Sequence, residues 1–219
     1  DRVLQGTTEG YLYSLNLAGT KHSLVAWKFH AEGGVNTAVT LADGKVYFGS
    51  NGGVLYALNE SDGSLVWETR IDPVGKGARK QFTVPLALDG KLYVGGANKH
   101  AYCLDATSGK IEWQTELSDW IRSRPAMTSQ GLLVASVDGK ISCLSKTDGK
   151  IQWSKTISTH QIYSDLVSAG DSILVSDSDL WLRRINASGD VVWKRSLLNA
   201  YENEEGQRIF TDVLSGGTY

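Results

Sequence analysis

Cysteine, proline and methionine are scarce in this sequence: its 219 residues include two, three and one of them, respectively. No apolar run approaches the roughly 18 residues that a membrane-spanning helix needs, so the sequence predicts no membrane span. The formal net charge is only −2. The chain therefore lacks the basic surplus that is typical of nucleic-acid-binding proteins, and we expect no nucleic-acid partner.

Sequence motifs for catalysis are also missing. There is no Gly-x-Ser-x-Gly elbow and no complete phosphate-binding Gly-x-x-x-x-Gly-Lys loop. The histidines do not follow metal-ligand spacing. Asp171, Asp177 and Asp179 are dense enough for a cation site, but they flank a predicted hairpin and we interpret them as a solvated turn. We therefore expect no catalytic residues and no metal site.

Glycine and tryptophan are abundant, with 24 and seven residues. Five tryptophans are separated by 40, 46, 40 and 40 residues, and in four of these five units a glycine stands four residues before the tryptophan. A fixed spacing of this length indicates an internal repeat. The periodic tryptophans are Trp27, Trp67, Trp113, Trp153 and Trp193.

Residues 104–113 show the repeated unit most clearly. A short apolar run ends at Leu104, and the turn that follows contains Asp105 and Gly109, residue types that suit a tight turn. The next residues alternate polar and apolar side chains up to Trp113, which is typical of a strand with one buried face. The unit is therefore predicted to be a β-hairpin.

Each repeat predicts four short antiparallel strands, because Asp-Gly and Asn-Gly turns separate its alternating segments. In the second repeat these strands span residues 37–41, 45–49, 54–59 and 64–69. Such units, without a helical period, predict an all-β fold: a single-domain β-propeller (1–219) of four-stranded antiparallel blades. The repeats cover about residues 1–29, 35–70, 82–117, 121–157 and 162–198, followed by a closing or partial strand at 208–219.

The two ends of the chain have complementary patterns. The first repeat begins with a second strand, and residues 210–214 resemble a first strand. Three interpretations remain open: the last strand completes the first blade of a five-bladed ring, the chain is a fragment of a larger propeller, or the blades form an open arc. The chain begins with Asp1 rather than Met, so any signal peptide would lie upstream.

The periodic tryptophans are predicted to dock each blade on the next. Propeller blades pack face to face, and a large indole ring can fill the contact between them. The indole N–H still needs a hydrogen-bond partner, which the backbone of the neighbouring blade can supply. We therefore expect a structural role for all five.

The two cysteines, Cys103 and Cys143, occupy equivalent positions in successive repeats. Stacked sheets lie about 10 Å apart, which exceeds the reach of a disulfide. We expect small buried thiols, and cysteine usage therefore does not identify the cellular compartment.

The repeat resembles the pyrroloquinoline-quinone-type (PQQ-like) propeller repeat, whose hairpin has the form Ala-x-Asp/Asn-x-x-x-Gly-x-x-x-Trp. Ala57, Asn59, Gly63 and Trp67 match every position. The third and fourth repeats match with cysteine in place of alanine, whereas the first has a longer turn and the fifth a shorter one. The resemblance extends over nearly the whole chain.

This resemblance implies one of two kinds of function. Some family members are quinone-dependent dehydrogenases that hold PQQ beside a calcium ion under a pair of adjacent cysteines, which this chain lacks. Many others are non-catalytic scaffolds of the bacterial envelope, similar to the outer-membrane assembly lipoprotein. We favour a cofactor-free scaffold that is periplasmic, envelope-associated or secreted. A fragment of a PQQ-dependent dehydrogenase and an accessory domain of a larger enzyme remain alternatives.

Partner binding is expected at the mouth of the central channel, where loops lie on a rigid scaffold. There we expect Arg124 to pair with Asp165. The first strands also carry a recurrent hydroxyl that is expected to bond neighbouring backbone, at Thr37, Thr83, Ser123, Ser164 and Thr211. We predict a non-enzymatic scaffold that binds a protein segment or a polar carbohydrate there. The candidate rim residues are Arg122, Arg124, Tyr163, Asp165, Asp212, Lys76, Arg79 and Lys80.

Overall fold

The computed structural model describes residues 2–18, 24–71 and 81–197, together with the backbone of residues 200–202 and 208–210. All regular secondary structure in these ranges is β-strand, which confirms the all-β prediction. Within them, no helix is long and apolar enough to cross a membrane.

The strands form four four-stranded antiparallel sheets, one three-stranded sheet and one two-stranded ribbon, each connected in sequence order. Blade 1 contains β1 (Arg2–Gly6), β2 (Tyr11–Asn16) and β3 (Val25–His30). Blade 2 contains β4 (Thr40–Ala42), β5 (Lys45–Gly49), β6 (Val54–Asn59) and β7 (Leu65–Arg70). Blade 3 contains β8 (Leu86–Leu88), β9 (Lys91–Gly95), β10 (His100–Asp105) and β11 (Ile111–Glu116).

The remaining strands continue the same order. Blade 4 contains β12 (Ala126–Met127), β13 (Leu132–Ala135), β14 (Lys140–Leu144) and β15 (Ile151–Thr156). Blade 5 contains β16 (Val167–Ala169), β17 (Ser172–Ser176), β18 (Trp181–Asn186) and β19 (Val191–Ser196). The ribbon consists of β20 (Ala200–Glu202) and β21 (Arg208–Phe210).

The second and third strands of blade 2 have the predicted bounds, but the first strand begins at Thr40 instead of residue 37. An irregular entry segment precedes each innermost strand. In blades 3 and 4 this segment touches the second strand through a single bridge, formed by Phe82 with Gly96 and by Ile121 with Ser136. The backbone then bulges before regular pairing begins. The entry segments are therefore not paired along their whole length, and their side chains can face the channel.

A β-bulge recurs in the last strand of each of the five blades. In blade 2, Trp67 pairs with Ala57 while Leu65 pairs with Leu58, which leaves Val66 as an extra residue. The same register shift occurs in the other four blades. Because a bulge rotates the residues that follow it, it turns the periodic tryptophan toward the next blade.

The hydrophobic core lies between the blades, not within one layer. Four buried clusters each join one blade to the next, and they include fully buried residues such as Leu12, Tyr47, Leu104 and Ile141. Cys103 and Cys143 belong to two of these clusters and are free thiols. Burial is the largest influence on the Cys103 thiol and raises its pKa to about 12.

The predicted closing strand is only partly described. Phe210 lies in β21 and pairs with Ala200 of β20, and residues 211–219 are outside the described part of the chain. Among the described strands, β21 pairs with β20 and not with β1. The three interpretations of the chain ends therefore stay open.

Candidate functional site

The mouth of the channel is formed by the entry segments together with the turns between the second and third strands. In four blades, a backbone N–H in this turn donates to a carbonyl in the entry segment of the same blade. The four bonds join Asn51 to Gly34, Ala97 to Gln81, Val137 to Trp120, and Ser178 to Gln161, at 2.8, 2.9, 2.8 and 2.8 Å. The repeated bond fixes the entry segments as a rigid rim.

A cavity of about 340 Å³ opens at this mouth, and residues of four different blades line it. Its lining combines apolar side chains with amide, hydroxyl and charged side chains that face one space. The polar residues that matter here are Asn36, Thr37, Gln81, Thr83, Arg122 and Asp165.

Arg122 and Tyr163, both predicted rim residues, contact each other. The Arg122 guanidinium carbon lies 5.7 Å from the centre of the Tyr163 ring, within cation–π range. An Arg122 guanidinium nitrogen also donates to Gln81 Oε1 at 3.3 Å, and the Tyr163 hydroxyl donates to Gln161 Oε1 at 2.6 Å. Both remain exposed, so they present an ordered cation and an ordered aromatic ring to solvent.

Arg124 and Asp165 are adjacent, but the expected ion pair is not formed. Asp165 Oδ1 accepts a hydrogen bond from the Arg124 backbone N–H at 2.7 Å. The guanidinium makes no ion pair with Asp165 within 4.0 Å, and its buried Nε has no hydrogen-bond partner. The two entry segments run side by side, so Asp165 meets the backbone of Arg124 and not its guanidinium.

Two of the recurrent hydroxyls bond backbone as expected. Thr83 Oγ1 accepts from the Gly95 N–H at 3.0 Å, and Ser164 Oγ accepts from the Ser176 N–H at 2.9 Å. In both cases the hydroxyl replaces a strand-pairing bond that the irregular entry segment does not make.

The other two described hydroxyls differ from this pattern. Thr37 Oγ1 and Ser123 Oγ are buried and have no hydrogen-bond partner. Thr37 lines the mouth cavity, but its Oγ1 is itself buried and is not exposed at the cavity surface. The fifth hydroxyl, Thr211, lies outside the described residues.

Half of the predicted rim falls outside the part of the chain that the structure describes. These residues stay predictions, and they are Lys76, Arg79, Lys80 and Asp212.

The periodic tryptophans of the first three blades have one common environment. Trp27, Trp67 and Trp113 are each 7% exposed. Each donates its Nε1–H to a backbone carbonyl in the hairpin turn of the next blade. The acceptors are Glu60, Ala106 and Lys146, at 2.9, 3.0 and 3.0 Å.

Trp153 and Trp193 are only half-buried. The Trp153 Nε1 is buried without a partner, and the hairpin turn of blade 5 that it faces is one residue shorter than those of blades 2 to 4. The Arg195 guanidinium carbon lies 4.8 Å from the centre of the Trp193 ring. The blade 4–blade 5 contact therefore differs from the three before it.

Sequence analysis missed a buried ion pair at the same end of the molecule. Asp177, interpreted above as part of a solvated turn, is 5% exposed and accepts a hydrogen bond from Arg183 at 2.6 Å. Burial alone would raise the pKa of Asp177, but bonds from Ser158, from the Trp181 N–H and from Arg183 outweigh it and lower that pKa. A charged residue at the Arg183 position, where blades 2 and 3 have Tyr56 and Tyr102, was the available signal.

The alignment of the entry segments also needs correction. In the sequence, Phe82 directly precedes the recurrent hydroxyl of Thr83, as Arg122 precedes that of Ser123, which predicts equivalent positions for Phe82 and Arg122. The structure instead places Phe82 against Gly49, where a Cβ would be 2.7 Å from its ring. Ile121 packs against Gly95 in the same way, so Ile121 is the equivalent of Phe82. The entry segment of blade 3 is one residue shorter, a difference that a gapless sequence comparison does not reveal.

Metal-binding chemistry is sparse. Among residues 2–18, 24–71 and 81–197, no group of three or more His, Cys, Asp or Glu residues is arranged to hold a metal ion. Calcium prefers six to eight oxygen ligands, often including several carboxylates. The mouth cavity has one described carboxylate, Asp165, beside Arg122.

Comparison with known proteins agrees with this architecture. The sequence profile of the outer membrane protein assembly factor BamB matches residues 1–83 and 79–216. A search of curated proteins found no significant match. Among solved structures, BamB from Moraxella catarrhalis is similar with a TM-score of 0.73 at 19% identity, over 97% of this chain and 74% of that one.

Two further structures share the fold at low identity. The computationally designed Ika8 protein has a TM-score of 0.70 at 12% identity, over 84% of this chain and 55% of that one. The WD40 β-propeller domain of Doa1 has a TM-score of 0.69 at 17% identity, over 90% of this chain and 64% of that one. This chain thus spans less than two thirds of the length of each of these two proteins. The likeness confirms the predicted β-propeller.

Proposed function

This chain belongs to the family of the outer membrane protein assembly factor BamB, and we propose that it is a scaffold that docks a protein segment at the channel mouth. Its similarity to BamB supports a non-enzymatic scaffold in general terms. The partner and the docking site are our proposal, as is a periplasmic or envelope-associated location. Because the relative is an assembly factor for outer membrane proteins, we propose a protein of that assembly process as the partner.

The observation that carries the proposal is the contact between Arg122 and Tyr163. Arginine and tyrosine are enriched among the residues that dominate binding energy in protein interfaces. Here the Tyr163 side chain is 45% exposed, yet its hydroxyl and the Arg122 guanidinium are both held by glutamine side chains. Such pre-ordering reduces the entropy that a partner must remove on binding.

The mouth cavity supports a peptide segment in particular. Its amide and hydroxyl groups offer both donors and acceptors, which match the N–H and C=O groups of an extended chain. A polar carbohydrate, the other partner considered above, is an outcome of the test below.

Site-specific photo-crosslinking in bacterial cells tests the proposal. A photoreactive residue at position 163 is expected to give one protein adduct of defined mass, and Arg122→Ala should lower its yield at least fivefold. The matched control is position 150, where the Lys150 side chain is 84% exposed in a turn between third and fourth strands, at the other end of the blades. Equal adducts at both positions, or a glycan adduct at 163, would contradict protein docking at the mouth.

We also propose that the protein functions without pyrroloquinoline quinone as a cofactor. Titration of the purified protein with this quinone and calcium is expected to leave both the quinone absorbance and the melting temperature unchanged. Saturable binding in the micromolar range or tighter would favour the quinone-dependent dehydrogenase instead.

A further inference from the structure

A second cavity lies in the channel between blades 3, 4 and 5. Its volume is about 320 Å³, and its walls are mainly apolar side chains of the innermost strands and their entry segments. The apolar wall includes Leu86, Pro125, Leu166 and Val167. Small-molecule sites typically combine such walls with a few fixed polar groups.

The polar group that distinguishes this cavity is Arg124. Its side chain is half-buried, and its Nε is buried without a hydrogen-bond partner. A half-buried guanidinium without an anion is unfavourable, because the partial loss of its hydration is not compensated by an opposite charge. Arg124 therefore marks a place where a bound anion would gain a charge-assisted hydrogen bond from the terminal guanidinium nitrogens.

The neighbouring charges permit an anion to bind. Asp165 also lines the cavity, but its Oδ1 is already occupied by the Arg124 backbone N–H. Arg122 lies two residues earlier in the same entry segment and lines the mouth cavity, which Asp165 also lines. Among the described residues that line the two cavities, two guanidinium groups thus face one carboxylate.

We propose that this cavity binds a carboxylate that carries a small apolar body, with the carboxylate on Arg124 and the body against Leu166 and Val167. Val167 is 56% exposed in the protein as it stands, so a ligand would remove apolar surface from water as well as pair the charge. A free fatty or aromatic acid and a peptide with an apolar C-terminal residue share this chemistry. The site is independent of protein docking by Arg122 and Tyr163.

Calorimetric titration with hexanoate tests the proposal. We expect saturable binding of hexanoate to the whole chain and at least tenfold weaker binding of hexan-1-ol, which has the same apolar body without the charge. Arg124→Gln should weaken hexanoate binding at least tenfold. Asp165→Asn should strengthen it severalfold, because it removes the competing negative charge.

The matched control is Arg184→Gln. Arg184 also has a buried, unpartnered Nε, but it lies in β18, away from the channel. This variant should bind hexanoate as the parent protein does, and an unchanged circular dichroism spectrum would establish that each variant is folded. Equal loss in Arg184→Gln and Arg124→Gln, equal affinity for hexanoate and hexanol, or no binding to the folded parent would each overturn the proposal.

A second arm distinguishes the two sources of the carboxylate. The acetylated tripeptide Gly-Val-Leu is titrated in two forms, one with a free C-terminal carboxylate and one with an amidated C-terminus. Tighter binding of the free-acid peptide than of hexanoate would assign the site to chain termini, and the reverse order would assign it to small acids. Failure of both probes would contradict the site while leaving the crosslinking result at Tyr163 unaffected.

Discussion

The indole ring of Trp67 lies directly on Gly109 of the next blade, so close that a Cβ on this glycine would be 2.5 Å from the ring. Gly109 has a φ of +71°, and Trp67 Nε1 donates to the Ala106 carbonyl in the same turn. One turn therefore supplies a flat surface and a hydrogen-bond acceptor to one ring. The pairs Trp27–Gly63 and Trp113–Gly149 repeat this geometry.

Replacement of Gly109 by alanine should be markedly more destabilising than replacement of Gly90. Both glycines have a φ of +71°, where an L-residue costs about 1–2 kcal/mol. Only Gly109 faces a ring, because nothing lies within 4 Å of a Cβ at Gly90. Overpacking at Gly109 should add about 1–3 kcal/mol, measurable by urea unfolding. Equal losses of unfolding free energy in the two variants would show that the Trp67 ring moves aside without an energetic cost.

The indole hydrogen bond can be measured by comparing Trp113→Phe with Trp153→Phe. The first variant leaves the Lys146 carbonyl without its donor, whereas the second removes a buried N–H that has no partner. Trp113→Phe should therefore lose at least about 1 kcal/mol more stability than Trp153→Phe. Trp113→Ala should cost about 3–5 kcal/mol through cavity formation. An unchanged melting temperature in Trp113→Ala would contradict its docking role.

Loss of Arg183 should destabilise the blade 4–blade 5 contact strongly. Arg183→Met keeps the apolar stem but leaves Asp177, whose side chain is fully buried, without its cation. Removal of one partner of a buried pair typically costs about 3–5 kcal/mol. The double variant with Asp177→Leu should recover part of that loss in the same urea titration. A double variant as unstable as Arg183→Met would show that the charge of Asp177 is not the cause.

Stability should also depend on pH through Asp177. Its pKa is lowered in the folded protein, so the unfolded chain binds a proton more readily at acidic pH. The contribution of Asp177 is complete above the pKa of the unfolded chain and is lost as pH falls through the folded pKa. Unfolding midpoints between about pH 6 and pH 2.5 should therefore fall less steeply in Asp177→Asn than in the parent protein. Parallel curves would contradict this assignment.

The repeat pattern of the sequence determined the fold because it is local. Turn residues and alternating side chains lie within ten residues of each other, so β5 and β6 were predicted with their observed bounds. The spacing of the tryptophans likewise determined that the strands recur as blades, because each blade repeats the same hairpin. The resemblance to the PQQ-like repeat rests on these same local features.

Only the tertiary structure decided how residues of different blades meet. Sequence comparison brought Arg122, Arg124, Tyr163 and Asp165 to one rim, but it expected a pair between Arg124 and Asp165 that the backbone contact replaces. It also assigned Asp177 to solvent, although Arg183 and a bend of the chain bury it. Such contacts depend on bulges and on loop lengths that differ by one residue. A shift of one residue reverses the direction of a side chain in a strand, and the local pattern does not record which shift the packing of neighbouring blades selects.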